Sequence, residues 1–442
     1  MLSISYKSIL AVALPMMVSG FIQSIVLITD ASFLSRYSTE AFDALGNAGL
    51  IYITLYIMLA GMSDGSQIII ARRIGEERFE AIGRIFGTTL ITLLLLAIGL
   101  FLFLYFLMPD WIVSYSRNSK IALMQGDFLK IRGFSLFFAV ITLTIQALMI
   151  AKGKTWVVLI AAVVTASSNI LLGYTLIFGN FGFQRLGLEG AAYASTIADA
   201  LGMTTLVLFL IFSKERKEYK LFSYFSFQWK SFIELLKVGS PLLIQGFFAL
   251  ATWTLFFTWL EQKGNFDLTV SQNIRSIYFL AFVPIWGFAA TTKTYISQYL
   301  GNKKFEMLPI IQRRIQLLTV GFLLFTFHGA LFYPEALIRF INPEEQYVQK
   351  SAEILRLISC SIFLYGMISV YFQTILGSGN TLVSMTIEFF AVLIYISSAY
   401  CFIKIFQWDV YWIWTVEYIY FTTLGVLSLL YLKLFDWKKK IV

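Results

Sequence analysis

Apolar runs of membrane-crossing length recur from one end of this chain to the other, and few folds tolerate them. About 20 predominantly apolar residues carry an α-helix across the hydrocarbon core of a bilayer. Runs of that kind are predicted near 8–34, 46–71, 85–107, 124–151, 155–178, 187–213, 235–260, 270–298, 315–333, 351–378, 381–405 and 410–432. These twelve spans leave no soluble domain over among 442 residues. With 58% hydrophobic and 13% charged residues, water is not the chain's main solvent. Backbone groups inside lipid must bond to one another, so the fold class is an all-α membrane protein. The first span is too long for a signal-peptide core and lacks a small-residue cleavage site, so it is expected to persist as a transmembrane helix.

A formal net charge of +9 would suit nucleic acid or anionic lipid, but placement of the charges argues otherwise. Basic residues gather in alternate connections. Arg72, Arg73, Arg78 and Arg84 follow the second span, Lys214, Arg216, Lys217 and Lys220 the sixth, and Lys303, Lys304, Arg313 and Arg314 the eighth. The intervening loops carry few, such as Arg36, Arg185 and Lys263. This bias orients a multi-pass protein of the bacterial inner membrane with both termini in the cytoplasm, and needs no other role. The two cysteines, Cys360 and Cys401, both fall within spans and suggest neither a disulfide framework nor a metal cluster.

The chain also repeats itself. At an offset of 226 residues, Pro15 meets Pro241, Gly20 and Phe21 meet Gly246 and Phe247, Asn47 meets Asn273, and Gly61 meets Gly287. Farther along, Gly75 meets Gly301, Phe79 and Glu80 meet Phe305 and Glu306, and Gly153 and Thr155 meet Gly379 and Thr381. Six helices separate each pair, so the halves keep one orientation and are expected to be related by a pseudo-two-fold axis along the membrane normal, with a cleft between them. The expected organisation is an N-lobe over 1–213, a cytoplasmic linker over 214–230, and a C-lobe over 231–442. The linker reads either as a solvated tether or as an amphipathic gate on the inner surface.

Five acids fall within the spans: Asp30, Asp64, Asp199, Glu388 and Glu417. An ionised carboxylate at the centre of a membrane helix costs roughly 2.5–3.5 kcal/mol, so each needs a partner, a proton or a cation. Asp30 lies well along the first span and so in the outer half of the bilayer. Asp64 stands in the polar turn SDGSQ, where a structural hydrogen bond at a close helix contact competes with an inner gate. Glu388 lies toward the inside and Glu417 toward the outside, which disfavours a direct pair. Lys130, Arg132 and Arg356 near outer helix ends are expected to snorkel. Arg275, inside the eighth span, either neutralises an acid across the cleft or anchors at the interface.

Aromatic residues make up 17% of the chain, enough to line a cavity that grips flat cations by stacking and cation–π contact. Tyr52, Tyr278, Trp253, Trp259, Phe256 and Phe257 are cleft candidates by position, against packing or lipid contact as the alternative. Pro15, Pro241 and Pro284 remove backbone donors inside spans, mark bends and are hinge candidates.

The stretches ALPMMVSGFIQSIVLITDASFLSR, GMSDGSQIIIARRIGEERFEAIGR and GFQRLGLEGAAYAS, with VGSPLLIQG and WGFAATTKTYISQYLGN in the second half, resemble the multidrug and toxic compound extrusion (MATE) family over essentially the whole chain. The resemblance implies two six-helix lobes, alternating access, and antiport of organic cations or drugs against Na+ or H+. It also implies that Asp30 is the coupling-ion ligand, with Asn169 on the fifth helix and the hydroxyl of Ser195 on the sixth. Gly173 stands where the family has a second carboxylate, so that site does not carry over intact. Asp199, one helical turn beyond Ser195, would restore the charge. The expected N-lobe cation site is therefore Asp30, Asn169, Ser195 and Asp199, an oxygen-only set suited to Na+ or to a proton shared by two mutually repelling acids. The other reading of Asp199 is a cap on a neighbouring helix or backbone break. The acids common on the family's seventh and tenth helices are missing, which leaves Glu388 and Glu417 as substitutes.

Other classes lack their residues. The single histidine, His328, falls in an apolar ninth helix without His-Glu spacing, so its expected role is packing and no catalytic residue is assigned. No glycine-rich phosphate loop with Lys and Ser/Thr appears, so ATP is not expected to power the chain. A flippase for lipid-linked precursors, the nearer alternative, would want a strongly basic cavity. A membrane-embedded transferase, the farther one, would want a catalytic His or metal-binding acids at membrane depth and longer loops. The expected partners are membrane lipids and a small cationic or amphipathic substrate, without nucleic acid or a cofactor beyond Na+ or H+, and the expected state is a monomer.

Overall fold

The computed structural model describes residues 1–115, 118–223 and 227–439, so part of the 214–230 linker lies outside the described residues. The described chain is helical throughout, with twelve helices long and apolar enough to cross a membrane. They are α1 (Tyr6–Tyr37), α2 (Thr39–Gly75), α3 (Phe79–Ser114), α4 (Ser119–Lys152), α5 (Thr155–Phe178), α6 (Leu188–Phe212), α7 (Trp229–Lys263), α8 (Asn265–Gly301), α9 (Phe305–Phe327), α10 (Glu345–Gly377), α11 (Thr381–Ile405) and α12 (Val410–Leu434).

Local chemistry sets where they start and stop. Ser38 caps α2 by accepting from Ala41 N at 3.0 Å, and Asn118 caps α4 by accepting from Lys120 N and Ile121 N. The repeat noticed in the sequence has a structural basis at such ends. Gly153 closes α4 at φ 81° and its counterpart Gly379 follows α10 at φ 82°, both in the left-handed region that favours glycine. Glu77 and Lys303, also 226 residues apart, both adopt positive φ (57° and 60°) just past α2 and α8. Each turn is closed alike, by Arg78 N to Arg73 O at 3.0 Å and by Lys304 N to Tyr299 O at 3.1 Å.

Two compact units emerge, and their bounds differ from the chain-order lobes. An N-unit comprises Leu14–Leu243, and a C-unit comprises Met1–Ala13 with Ile244–Val442. The division crosses α1 beside Pro15 and α7 just past Pro241, rather than falling in the linker. The reason is packing. In the N-unit the first turns of α7 lie backbone to backbone on α2: a Cβ added at Gly65 would meet Gly239 Cα at 2.6 Å, and one at Gly61 would meet Leu243 N at 2.7 Å. Small residues at these positions are what allow such closeness. In the C-unit the first residues of the chain are tied to α8 and α9. Gln298 Oε1 accepts from Leu2 N, Tyr299 donates to Leu2 O, Tyr295 donates to Ser3 O, and Arg314 donates to Ile4 O.

Within the N-unit, α2 packs on α4, α5 on α6, and α4 on α6; within the C-unit, α8 packs on α10, α10 on α12, and α11 on α12. One span differs from expectation. The ninth ends at Phe327, not 333, because the chain breaks at His328 into two short helices, Gly329–Phe332 and Pro334–Ile341. Pro334 begins the second of these, where its missing N–H costs nothing. His328 is thus a helix-end residue, its Nδ1 2.8 Å from Phe325 O and its ring edge-on to Tyr333.

Candidate functional site

Four helices of the N-unit build its polar centre. Asp30 on α1 is half-buried and faces α5, where a Cβ added at Gly173 would stand 3.9 Å from Asp30 Oδ1. The position that resemblance assigned to a second carboxylate therefore does face the first, and here it is bare. One turn back on α5, Asn169 is 3% exposed and lies against Asp30. Its Nδ2 donates to Ser195 Oγ on α6 at 2.9 Å, while its Oδ1 is buried without a partner. Thr196 Oγ1 on α6 is likewise buried and unpartnered. A buried acceptor left without a partner is costly, and a small cation or a donated proton would relieve it.

Asp199 also belongs to this centre, but not as a free ligand. Its Oδ2 accepts from Arg132 Nη1 at 2.9 Å and from Ser135 Oγ at 2.7 Å, both on α4. Arg132 Nη1 also donates to Ser135 Oγ at 2.7 Å, and its guanidinium lies 4.1 Å from the centre of the Tyr52 ring on α2. Asp30 stands within the fields of both Arg132 and Asp199. Two expectations change as a result. Arg132 does not snorkel: its side chain is 12% exposed, because withdrawing it to the interface would strand Asp199 without a counter-charge. Asp199, the expected stand-in for the carboxylate missing at Gly173, has its charge already met by Arg132. Lys130 and Arg356 pair with Asp127 and Glu335. Sequence reasoning missed Arg132 and Ser135 as site residues. The available signal was their i,i+3 spacing, which puts both on one face of α4.

Tyr52, a cleft candidate, is thus the aromatic floor beneath Arg132. A recess of about 620 Å³ is walled by Ala31, Phe42, Asp43, Leu45, Gly46 and Asn47; neither Asp30 nor Tyr52 is in its lining. Asp64, farther along α2, is half-buried and engaged. Around it Ser63 Oγ donates to Leu143 O at 2.9 Å and Thr89 Oγ1 to Ser66 Oγ at 2.9 Å. That turn is the close helix contact anticipated there.

In the C-unit, Tyr278 and Phe256 are core residues rather than cavity walls, at 0% and 2% exposure. Trp253 stacks on Tyr278 at 5.9 Å, Phe256 and Phe257 pack on Trp414, and Trp259 lies edge-on to Tyr400. Arg275 is exposed, its guanidinium 4.8 Å above the Phe257 ring, and among the described residues it pairs with no acid. Glu417 is buried with its Oε2 accepting from Tyr278 at 2.7 Å and its Oε1 from Tyr395 at 3.2 Å; Glu388 is buried against Tyr420. The two glutamates do not pair directly. Among the described residues no group of three or more His, Cys, Asp or Glu side chains is placed to hold a metal ion. Pro15, Pro241 and Pro284 all sit within continuous helices.

Comparison with known proteins agrees with this architecture. The chain is 27% identical over 449 residues to a Thermotoga maritima protein named "Probable multidrug resistance protein NorM", covering 99% of this chain and 94% of that one. It is 25% identical to a protein of the same name from Agrobacterium fabrum, over 82% and 77% of the two chains. In structure it superposes on a MATE crystallised with MaL6 at a TM-score of 0.89 and 18% identity, covering 96% and 95%. It superposes on a Pyrococcus furiosus transporter of the MOP superfamily, described as having a binding pocket of reverse polarity, at 0.85 and 20%, covering 96% and 94%. The model of the family described as MatE matches twice, over residues 15–175 and 241–401, in the same 226-residue register as the internal repeat. The chain therefore belongs to the MatE family, as a twelve-helix membrane transporter and not an enzyme.

Proposed function

We propose that this transporter exports organic cations or drugs across the bacterial inner membrane, in exchange for inward Na+ or H+, by alternating access. Membrane lipids are its solvent, both termini face the cytoplasm, and it works as a monomer without ATP, nucleic acid or a bound cofactor. The observation that carries this reading is the N-unit centre, where Asp30 stands against Asn169 without a cation of its own while Arg132 compensates Asp199. Two carboxylates and one fixed arginine leave a net single negative charge. Such a centre is neutral only when one mobile positive charge is present, whether Na+, a proton or a cationic cargo. Exchange follows from that arithmetic, since cargo and coupling ion neutralise the same carboxylate in turn. Moving one charge down a potential of about 100 mV supplies about 2.3 kcal/mol, roughly the cost of an unneutralised carboxylate at membrane depth.

The oxygens present fit a Na+ ion in kind: the Asp30 carboxylate, Asn169 Oδ1 and the hydroxyls of Ser195 and Thr196. They fit a proton equally, with Asp30 as the acid. The flippase alternative is less well supported, because the one arginine in this centre is already paired. Dye efflux from energised vesicles, with Na+ and proton gradients imposed separately, tests the proposal. Asp30→Asn is expected to abolish gradient-driven efflux under whichever ion drives the parent. Normal pumping by Asp30→Asn would refute the assignment.

A further inference from the structure

We propose that Glu417 is a proton-binding site of the C-unit, its carboxyl clamped between the hydroxyls of Tyr278 and Tyr395 where no basic side chain reaches it. The site lies outside the N-unit centre, and the inference does not rest on the exchange reading above.

Glu417 is 3% exposed, on a membrane-spanning helix. Its surroundings are apolar: Trp414, Val416 and Tyr278 are fully buried, with Phe256 and Phe421 at 2%. Each carboxyl oxygen has one partner, Tyr278 at Oε2 and Tyr395 at Oε1. Neither partner carries a positive charge. The titratable groups around it are phenols and one further acid: Tyr278 on α8, Tyr395 on α11, Tyr365 on α10 beside Tyr278, and Tyr420 on α12 with Glu388 on α11 behind it, while α7 packs there through Phe256. Arg275 on α8, three residues before Tyr278, lies over Phe257 instead, and Lys350 on α10 pairs with Asp409. The start of the helix does not substitute for them. The amides of Glu417, Tyr418 and Ile419 already bond to the carbonyls of Trp414 and Thr415, so they are not free to stabilise an anion.

A buried carboxylate without a cation must acquire one or take up a proton. The packing favours the proton, because aromatic rings fill the space where further oxygen ligands of a metal ion would stand. Both states keep hydrogen bonds. The phenols donate to the carboxylate when the proton has left, and a phenol oxygen accepts from the carboxyl O–H when it is present. Glu388 extends the arrangement: Tyr420, its hydrogen-bond donor, lies edge-on to Tyr395 at 5.7 Å, so the two carboxyls meet through two rings rather than directly. Release is a simple dissociation, the O–H bond breaking with its electron pair left on the carboxylate and the proton passing to water.

Infrared difference spectra of the purified full-length protein, recorded as a function of pH in H2O and D2O, test this without any transport assay. The parent is expected to show a protonated-carboxyl band that shifts on deuteration and fades at alkaline pH. Glu417→Gln, which keeps shape and hydrogen bonding, is expected to lose that band, while Asp30→Asn keeps it. Tyr278→Phe retains the carboxyl but removes the donor to Oε2, and is expected to move the band without abolishing it. An unchanged band in Glu417→Gln, or one that answers to sodium and not to pH, overturns the proposal. If Glu417→Gln fails to fold, an unmoved band in Tyr278→Phe overturns it equally.

Discussion

Single charges decide this protein at the residue scale, because lipid offers them no solvent. Arg132 and Asp199 neutralise each other, so deleting one leaves the other, only partly exposed, without its counter-charge. Arg132→Ala is expected to destabilise the protein by about 1.5–3 kcal/mol, the range for hydrogen bonds to charged groups, read as a lowered thermal midpoint in detergent. Function should fall in both single variants for opposite reasons. Asp199→Asn frees a positive charge that competes for Asp30, while Arg132→Gln leaves a second anion, which under the proposed exchange would hold the coupling ion too tightly. The double variant Arg132→Gln with Asp199→Asn restores the net charge and is expected to recover dye efflux above either single variant. A double-mutant cycle measures that coupling, and strict additivity would show that the pair is not part of the transport centre.

Contact between elements rests on glycine in the N-unit. Where α2 meets the start of α7, Gly61, Gly65 and Gly239 let two backbones approach more closely than any Cβ permits. Gly65→Ala is expected to push the helices apart and cost about 1–3 kcal/mol, as overpacking does, checked by thermal unfolding in detergent. Gly99→Ala, on α3 with open space around the added carbon, is the control and should be neutral or slightly stabilising. The same contact explains why the first turns of α7 belong with the N-unit. Pro15 and Pro241 lie where the two units divide helices that are otherwise continuous, and each removes an amide donor there.

Over the whole molecule, the segment between the sixth and seventh spans is docked through its early residues rather than left as a plain tether. Glu215, 2% exposed, pairs with Lys154 at 2.5 Å, Glu218 with Lys152 at 2.9 Å, and Lys220 with Glu80 at 2.8 Å, while the Tyr219 carbonyl sits against Gly83. Burial works to raise the Glu215 carboxyl, but the Lys154 hydrogen bond, the backbone and the two lysine charges outweigh it and hold the group below its ordinary value. A folded-state value below the unfolded one gives stability that is present above the ordinary glutamate range and lost as pH falls through the depressed value. Lys154→Met should therefore lower the thermal midpoint at neutral pH by the equivalent of about 1 kcal/mol at most, with parent and variant converging in acid. A gap that widens on acidification would contradict this pairing.

Twelve spans, their order and the tandem repeat were legible in the amino acids alone, because a bilayer demands apolar runs of one length and a duplicated bundle keeps its prolines and turn glycines in register. Asp30, Asn169 and Ser195 were legible as a group through resemblance, and Gly173 as its gap. Only the folded chain revealed that Arg132 reaches Asp199, that Tyr278 and Phe256 turn inward, and that Glu417 lies between two tyrosines. Those outcomes depend on which face each helix presents to its neighbours. A hydrophobic membrane helix has apolar residues all round, so its hydropathy does not mark the inward side; the packing of one helix against the next chooses it.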